Sequence, residues 1–325
     1  MASAQEKFEL KFADRMPTSH PTPVHGANAF IEKAQQLSDG ALTITYYPVE
    51  QLGKASDMLR LIKTGVADIA NIAPAYMTEK LPLSGVAELP NVYEQACDGS
   101  LAIYNMSQPG GFLYEHEVGR NDFRVLFVAG YGAYRAVSAS RTIEKAADFE
   151  GMKMRTAGGA MDMTAKAVGA VSVRIPGPDV LPSLQRGTLD GAFFPLQSVR
   201  PFGAQEVLKS LTPNVAVGSF TLVYGISERT WQSLPENIQN ALLEAGRAAT
   251  QEHCAYLEAT EQALVKSLED ENGIKAVALP DAEVQILNAK FLDVQKAWAE
   301  ALDGRGQPGT QVLDAFRQAM ETARK

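Results

Sequence analysis

The chain has 325 residues, 46% apolar and 21% charged, with a net charge of −8. That length exceeds a comfortable single core, so two domains are expected. The missing basic stripe argues against nucleic acid or an anionic membrane surface as partner. No run approaches the roughly 18 apolar residues of a membrane helix, so no membrane insertion is expected. Cys97 and Cys254 fit no metal or redox spacing. They are expected as two free, packed thiols, with a single disulfide as the alternative.

At the start, Ala2-Ser-Ala4 before Gln5-Glu6 resembles the end of a secretory signal peptide. Phe8 to Phe12 alternates like a strand. A polar, proline-rich loop carrying Asp14, Arg15 and His20 follows, and then a helix from Pro23 to Leu37. Ala41 to Tyr47 is β-branched and aromatic, a strand by propensity. A helix near 55–63 and a strand at 66–73 complete an alternation that predicts an α/β fold.

Helices are also expected at 96–106, and a strand at 123–129 that leads toward Tyr131, Tyr134 and Arg135. The region 151–195 then reads as three short β-type runs separated by helical crossovers, the pattern of a parallel sheet. Arg155 ends the first run, ahead of Thr156 and Gly158-Gly159, and Arg174 stands near the end of the second. Ligands of open α/β sheets bind outside the carboxyl ends of strands, and an arginine there offers a planar fork suited to a carboxylate. Leu61-Ile-Lys-Thr-Gly65-Val-Ala-Asp68 and Ser183-Leu-Gln-Arg-Gly187-Thr-Leu-Asp190 share one pattern: a helix end, a glycine, two residues, an aspartate and a strand. This echo suggests two similar domains whose strand ends face one cleft.

Downstream, 215–224 reads as a long strand able to cross between domains. From Pro235 to about Asp270 the only glycine is Gly246. That predicts a helix of some 50 Å, long enough to span both domains. A short strand at 274–279 and helices at 281–302 and 311–325 close the chain.

Several segments together resemble the periplasmic solute-binding proteins of tripartite ATP-independent periplasmic (TRAP) transporters. They are Pro48 with Gln51-Leu-Gly53, Gly65-x-x-Asp68, Gly151-x-Lys-x-Arg155, Gly169-Ala170, Leu184-Gln-x-Gly-x-x-Asp-Gly191 and the helix after Leu234-Pro235-Glu236. The resemblance covers nearly the whole chain. It implies a two-domain α/β fold of the Venus-flytrap kind, with strands crossing between domains and one helix spanning both. The expected boundaries are 1–130 plus 217–258, and 131–216 plus 259–325. It further implies export to the periplasm with the signal peptide removed. The partners it implies are a small carboxylate and the transporter's membrane subunits, for a chain that acts as a monomer. Within the family the arginine of the G-x-K-x-R segment, here Arg155, holds the substrate carboxylate, and Arg135 stands at a frequent pocket position.

The sialic-acid-binding branch of that family carries an asparagine where this chain has Phe194, and its polar sugar contacts are lacking near Ala73 and Tyr76. A buried unpaired hydroxyl costs roughly 1–3 kcal/mol, so an apolar, aromatic or keto acid is expected rather than a sugar acid. Phe193 or Phe194 should form a wall, since strand neighbours face opposite ways. Tyr131, Tyr134, Arg15, His20 and Arg174 complete the candidate site. No cofactor, metal site or catalytic residue is expected: the histidines show no ligand spacing, and no G-x-S-x-G, P-loop or H-E-x-x-H occurs. An ABC-type binding protein and an α/β enzyme acting on a carboxylic acid are the alternatives.

Overall fold

The computed structural model describes residues 6–323, so the signal-like Ala2-Ser-Ala4 lies outside the described residues. Eleven strands are described: β1 Phe8–Ala13, β2 Leu42–Tyr47, β3 Ile69–Ile72, β4 Phe123–Gly130, β5 Arg135–Ser138, β6 Lys153–Thr156, β7 Val171–Arg174, β8 Gly191–Phe194, β9 Ser210–Thr212, β10 Thr221–Ser227 and β11 Lys275–Ala276. The α-helices are α1 Asn28–Leu37, α2 Met58–Thr64, α3 Ala96–Met106, α4 Ala160–Ala167, α5 Val180–Gln185, α6 Glu228–Ser233, α7 Glu236–Asn272, α8 Asp281–Asp303 and α9 Gly309–Ala323.

They build two sheets, one ordered β2-β1-β3-β10-β4 and the other β11-β9-β5-β8-β6-β7. Three parallel strands, β2-β1-β3 or β7-β6-β8, begin each sheet, and an antiparallel strand follows, β10 or β5. That fourth strand comes from the other half of the chain, because β4 leads into β5 and β9 leads into β10. Each lobe therefore completes its sheet with a strand delivered across the cleft. The expected long strand at 215–224 is instead an extended crossing segment that enters the first sheet only at Thr221. It runs beside the other crossing, with Tyr131 N donating to Phe220 O (2.9 Å) and Tyr134 N to Gly218 O (2.7 Å).

The repeat seen in the sequence is structural. Gly65 and Gly187 end their helical turns with φ of 77° and 68°, a backbone region that favours glycine. Asp68 then takes the backbone N–H of Lys11 at 2.8 Å, and Asp190 takes that of Lys153 at 2.8 Å. Each carboxylate pins the start of β3 or β8 against β1 or β6, which fixes where the strand ends will lie.

Helix α7 has 37 residues, about 55 Å at 1.5 Å per residue. Its buried positions run from Ile238 to Leu257 against α1, α3 and β4, lapse, and resume at Leu268, where it meets β11. The lapse is where the helix passes from one lobe to the other. Helix α9, expected with the second domain, instead packs on α3. Its Val312, Leu313 and Phe316 share a core with Phe123 and Val125 of the first sheet.

Cys97 and Cys254 form a disulfide with Cα atoms 4.8 Å apart, which corrects the expectation of free thiols. Cys97 lies in the first turn of α3, and its N–H donates to Glu258 Oε1 (2.7 Å), one turn past Cys254 on α7. The α3–α7 packing thus brings the two sulfurs together across 157 residues of sequence. Among the described residues no helix is long and apolar enough to cross a membrane, and no cluster of His, Cys, Asp or Glu could hold a metal.

Candidate functional site

A small hollow of about 10 Å³, little more than the room one water needs, lies between the closed lobes at the carboxyl ends of β1, β3, β6 and β8. The first lobe contributes Arg15, Met16 and Tyr76. Tyr131, Tyr134 and Phe220 come from the crossing segments. The second lobe supplies Arg155, Gly177, Phe194, Pro195, Ser198 and Phe202.

Arg155 sits at the floor and is 1% exposed. Its register opposite Ala192 of β8 and Val173 of β7 places it mid-sheet, with a donor fork held from three sides. Nε donates to Ile175 O (2.9 Å), Nη1 to Phe193 O (3.2 Å) and Nη2 to the Tyr76 hydroxyl (3.3 Å). A guanidinium has five N–H donors, so one on each Nη remains. Among the described residues no carboxylate pairs with it; every partner is neutral. The Phe194 ring lies 5.6 Å from its Cζ.

The strand pairing decides between the two phenylalanines. Phe193 turns into the core, edge-on to Phe149 at 6.2 Å, and Phe194 faces the cavity beside Phe202. Tyr131 and Tyr134 also line the cavity, and burial pushes both phenols up, so they stay protonated at neutral pH. The Tyr131 hydroxyl is within hydrogen-bond reach of Thr22 Oγ1 (2.9 Å).

His20 stands one shell behind the wall. Desolvation, with Arg15 nearby, lowers its pKa well below the ordinary value and keeps the ring neutral. Its Nδ1 accepts the N–H of Thr22 (3.1 Å), which leaves the proton on Nε2 to be donated to Ser198 Oγ (2.8 Å). The Ser198 hydroxyl then accepts from His20 and keeps its own proton to donate. The Tyr76 hydroxyl accepts from both Arg155 and Gly177 N (3.1 Å), so its proton is likewise left over. The polar groups of the wall are donors: two guanidinium forks and several hydroxyls. That surface is complementary to an oxygen anion.

Besides Phe193 and His20, two more expected site residues, Arg135 and Arg174, do not line the cavity. Arg135 sits opposite Phe194 in the β5–β8 pairing, but its guanidinium turns to Glu94 and to Glu261 of α7 (3.0 Å). It lines a different, acidic hollow with Glu258 and Gln262. Arg174 is a surface partner of Asp162, with Nε donating at 3.1 Å. The sequence reading missed Tyr76, Phe220, Ser198 and Phe202. Tyr76 and Ser198 shared a signal, as polar side chains at matching positions of the repeat, just past the ends of β3 and β8.

Glycines 158 and 159, which follow Arg155, serve the lobe contact. A Cβ on Gly158, whose φ is 111°, would meet Ala75 O at 2.8 Å. The neighbouring Glu88 is fully buried, with Oε1 accepting from Ala75 N (3.2 Å) and Oε2 without a partner. Desolvation pushes its pKa up to about 8.

Residues 12–301 match the bacterial extracellular solute-binding proteins, family 7, the DctP family. The ectoine-binding periplasmic protein TeaA of Halomonas elongata is 24% identical over 295 residues, 90% of this chain and 84% of that protein. A TRAP solute-binding protein of Rhodoferax ferrireducens T118, solved with copurified benzoate, superposes with a TM-score of 0.86 at 24% identity, covering 97% of this chain and 98% of that one. A marine-metagenome TRAP protein specific for aromatic acids, solved with 3-hydroxybenzoate, gives 0.89 at 21% identity, covering 98% of this chain and 100% of that one. With the family matched over almost its whole length and both lobes in place, the chain belongs to the bacterial extracellular solute-binding proteins, family 7.

Proposed function

We propose that this protein captures a small aromatic or otherwise apolar organic acid, keto acids included, and delivers it from the periplasm to the membrane subunits of its transporter as a monomer. One observation carries the reading. Arg155 is fully buried, held by three neutral acceptors, and keeps two donors beside an aromatic wall. A guanidinium so placed lacks a charge partner, and a ligand carboxylate supplies one with bidentate geometry. Phe194, Phe202 and Phe220 contribute apolar contact, at roughly 25 cal/mol per Å² of area removed from water. A polyhydroxylated acid would leave hydroxyls unpaired against those rings. The aromatic acids held by the two structural relatives support the same class.

Capture proceeds by closure. The acid pairs with Arg155 in the open cleft, and rotation about the two crossing segments shuts the first lobe over it. Calorimetry with benzoate tests the assignment. Arg155→Met should keep its far-ultraviolet circular dichroism and lose several kcal/mol of affinity, because one partner of a desolvated pair is gone. Benzoate affinity close to wild type in the folded variant would refute it.

A further inference from the structure

The second arginine of the cavity has no role in the reading above. Arg15 follows β1 and is 3% exposed. Its guanidinium lies over two rings, with Cζ 5.3 Å from the centre of Tyr76 and 5.7 Å from that of Phe220. It reaches the other lobe, since a Cβ on Gly177 would lie 3.7 Å from its Nη1. One side and one edge are thereby fixed, since the two rings are themselves neighbours with centres 5.5 Å apart.

Its hydrogen bonds are a different matter. Nε is buried without a partner, and no carboxylate lies within salt-bridge distance among the described residues. Asp14, its neighbour in sequence, is turned to other donors: Met16 N (2.9 Å) on Oδ1, and the Tyr46 (3.0 Å) and Tyr224 (3.1 Å) hydroxyls on Oδ2. The rings that flank Arg15 attract the cation but accept no in-plane hydrogen bond. A buried guanidinium with this much unused donor capacity is costly unless something that enters the cavity accepts from it.

Arg155 and Arg15 come from opposite lobes and approach the same Tyr76, one at its hydroxyl and the other over its ring. A single carboxylate bound by the two donors left on Arg155 meets the needs of that arginine. We infer that Arg15 holds a second oxygen acceptor of the ligand, so that the preferred substrates are two-ended acids. They would carry a carboxylate at Arg155 and a carbonyl, hydroxyl or second carboxylate at the opposite end of a flat apolar body. This inference rests on the carboxylate reading of Arg155. It makes Arg15 a specificity residue, because an acid lacking the second acceptor leaves that guanidinium as it stands, whereas an acid bearing one satisfies it. The discrimination is the kind a site built on hydrogen bonding gives, larger than one based on apolar fit.

Three probes test it by calorimetry: benzoate, with one acceptor end, and 3-hydroxybenzoate and terephthalate, with two. Wild-type protein should bind at least one two-ended probe about tenfold or more tighter than benzoate. Arg15→Met should erase that advantage, weakening the two-ended acids about tenfold more than benzoate, and Arg155→Met should weaken all three. Arg15→Gln, which keeps a donor in place, serves if Arg15→Met does not fold, with the same loss of preference expected. Equal wild-type affinity for the three probes, or an Arg15 variant that weakens benzoate as much as the two-ended acids, would overturn the role of Arg15. Unchanged binding in Arg155→Met would overturn the underlying reading instead. A wild-type protein that binds none of the three removes both.

Discussion

Removal of the Cys97–Cys254 bridge measures how far α3 and α7 depend on a covalent tie. The perturbation is the double variant Cys97→Ser, Cys254→Ser. The bridge spans 157 residues of sequence, and the chain-entropy relation gives about 5 kcal/mol for a closed loop of that size at 25 °C. That figure is a ceiling, because residual structure in the unfolded chain lowers it, and 2–4 kcal/mol is typical. Cys254 is 0% exposed and Cys97 half-buried, so the serine hydroxyls add a small desolvation loss, chiefly at position 254. Urea unfolding followed by tryptophan fluorescence and circular dichroism should show a lower midpoint, with a somewhat steeper slope because the unlinked chain unfolds to a more exposed state. Reduction of the wild-type protein should reproduce the shift. Since the bridge ties elements of one lobe and neither cysteine lines the cavity, acid binding should stay within about threefold. Two titratable thiols in denatured, unreduced wild-type protein would refute the pairing. An unshifted midpoint in the double variant would refute the stabilisation. A bridge of this kind persists in oxidising compartments, as an extracytoplasmic family requires.

Two further substitutions read the packing and the charge. Gly246 of α7 rests on β4, where an added Cβ would lie 1.9 Å from Leu126 O and 2.7 Å from its carbonyl carbon. Gly246→Ala gains up to about 1 kcal/mol of helix propensity, yet backbone cannot give way as a side chain does, so a net loss of about 1–3 kcal/mol is expected in urea unfolding; an equal or higher midpoint would refute the contact. Glu88 binds its proton more tightly in the folded state, with a pKa of about 8 against an ordinary 4.5, so its contribution to stability falls as pH rises between those values. Glu88→Gln should therefore gain on wild type steadily across that window in thermal melts, and a pH-independent difference would refute the assignment. His20 and His253, both lowered by burial, act in the opposite sense and cost stability as pH falls below their ordinary 6.5, the latter titrating at about 3.

Much of the architecture was legible because it is written in local chemistry. Gly65, Gly187 and Gly273 mark helix ends by adopting positive φ, and the long glycine-poor run after Pro235 became α7 almost residue for residue. Arg155 was legible for the same reason, as a strand-end arginine ahead of two glycines. Phe193 and Phe194 were not separable, because all four residues of β8 are buried and the strand shows no polar alternation. The Cys97–Cys254 pair, the swapped fourth strands and the return of α9 to α3 are long-range facts without local signature. Arg135 misled because its local setting matches that of Arg155. What separates them is Glu261, 126 residues away on α7, which supplies Arg135 with the carboxylate that Arg155 lacks.

That difference also bears on how binding and closure would be coupled. The first lobe touches the second through Tyr76, which joins Arg155 and Gly177, and through His20, which joins Ser198. Three of those second-lobe groups line the cavity. On the proposed reading, the bonds that hold the lobes together are made to the same residues that would face a ligand. Shutting the cleft over Arg155 removes its water, and in a low-dielectric setting an unpaired guanidinium is penalised far more than in solvent. An acid bound there relieves the penalty only in the closed state, since in the open cleft water screens the pair. The ligand therefore favours closure by its differential interaction with the two states. A neutral compound of the same shape would fill the aromatic wall without shifting that equilibrium. On this account the carboxylate is what closes the protein, and the aromatic wall selects which carboxylate stays.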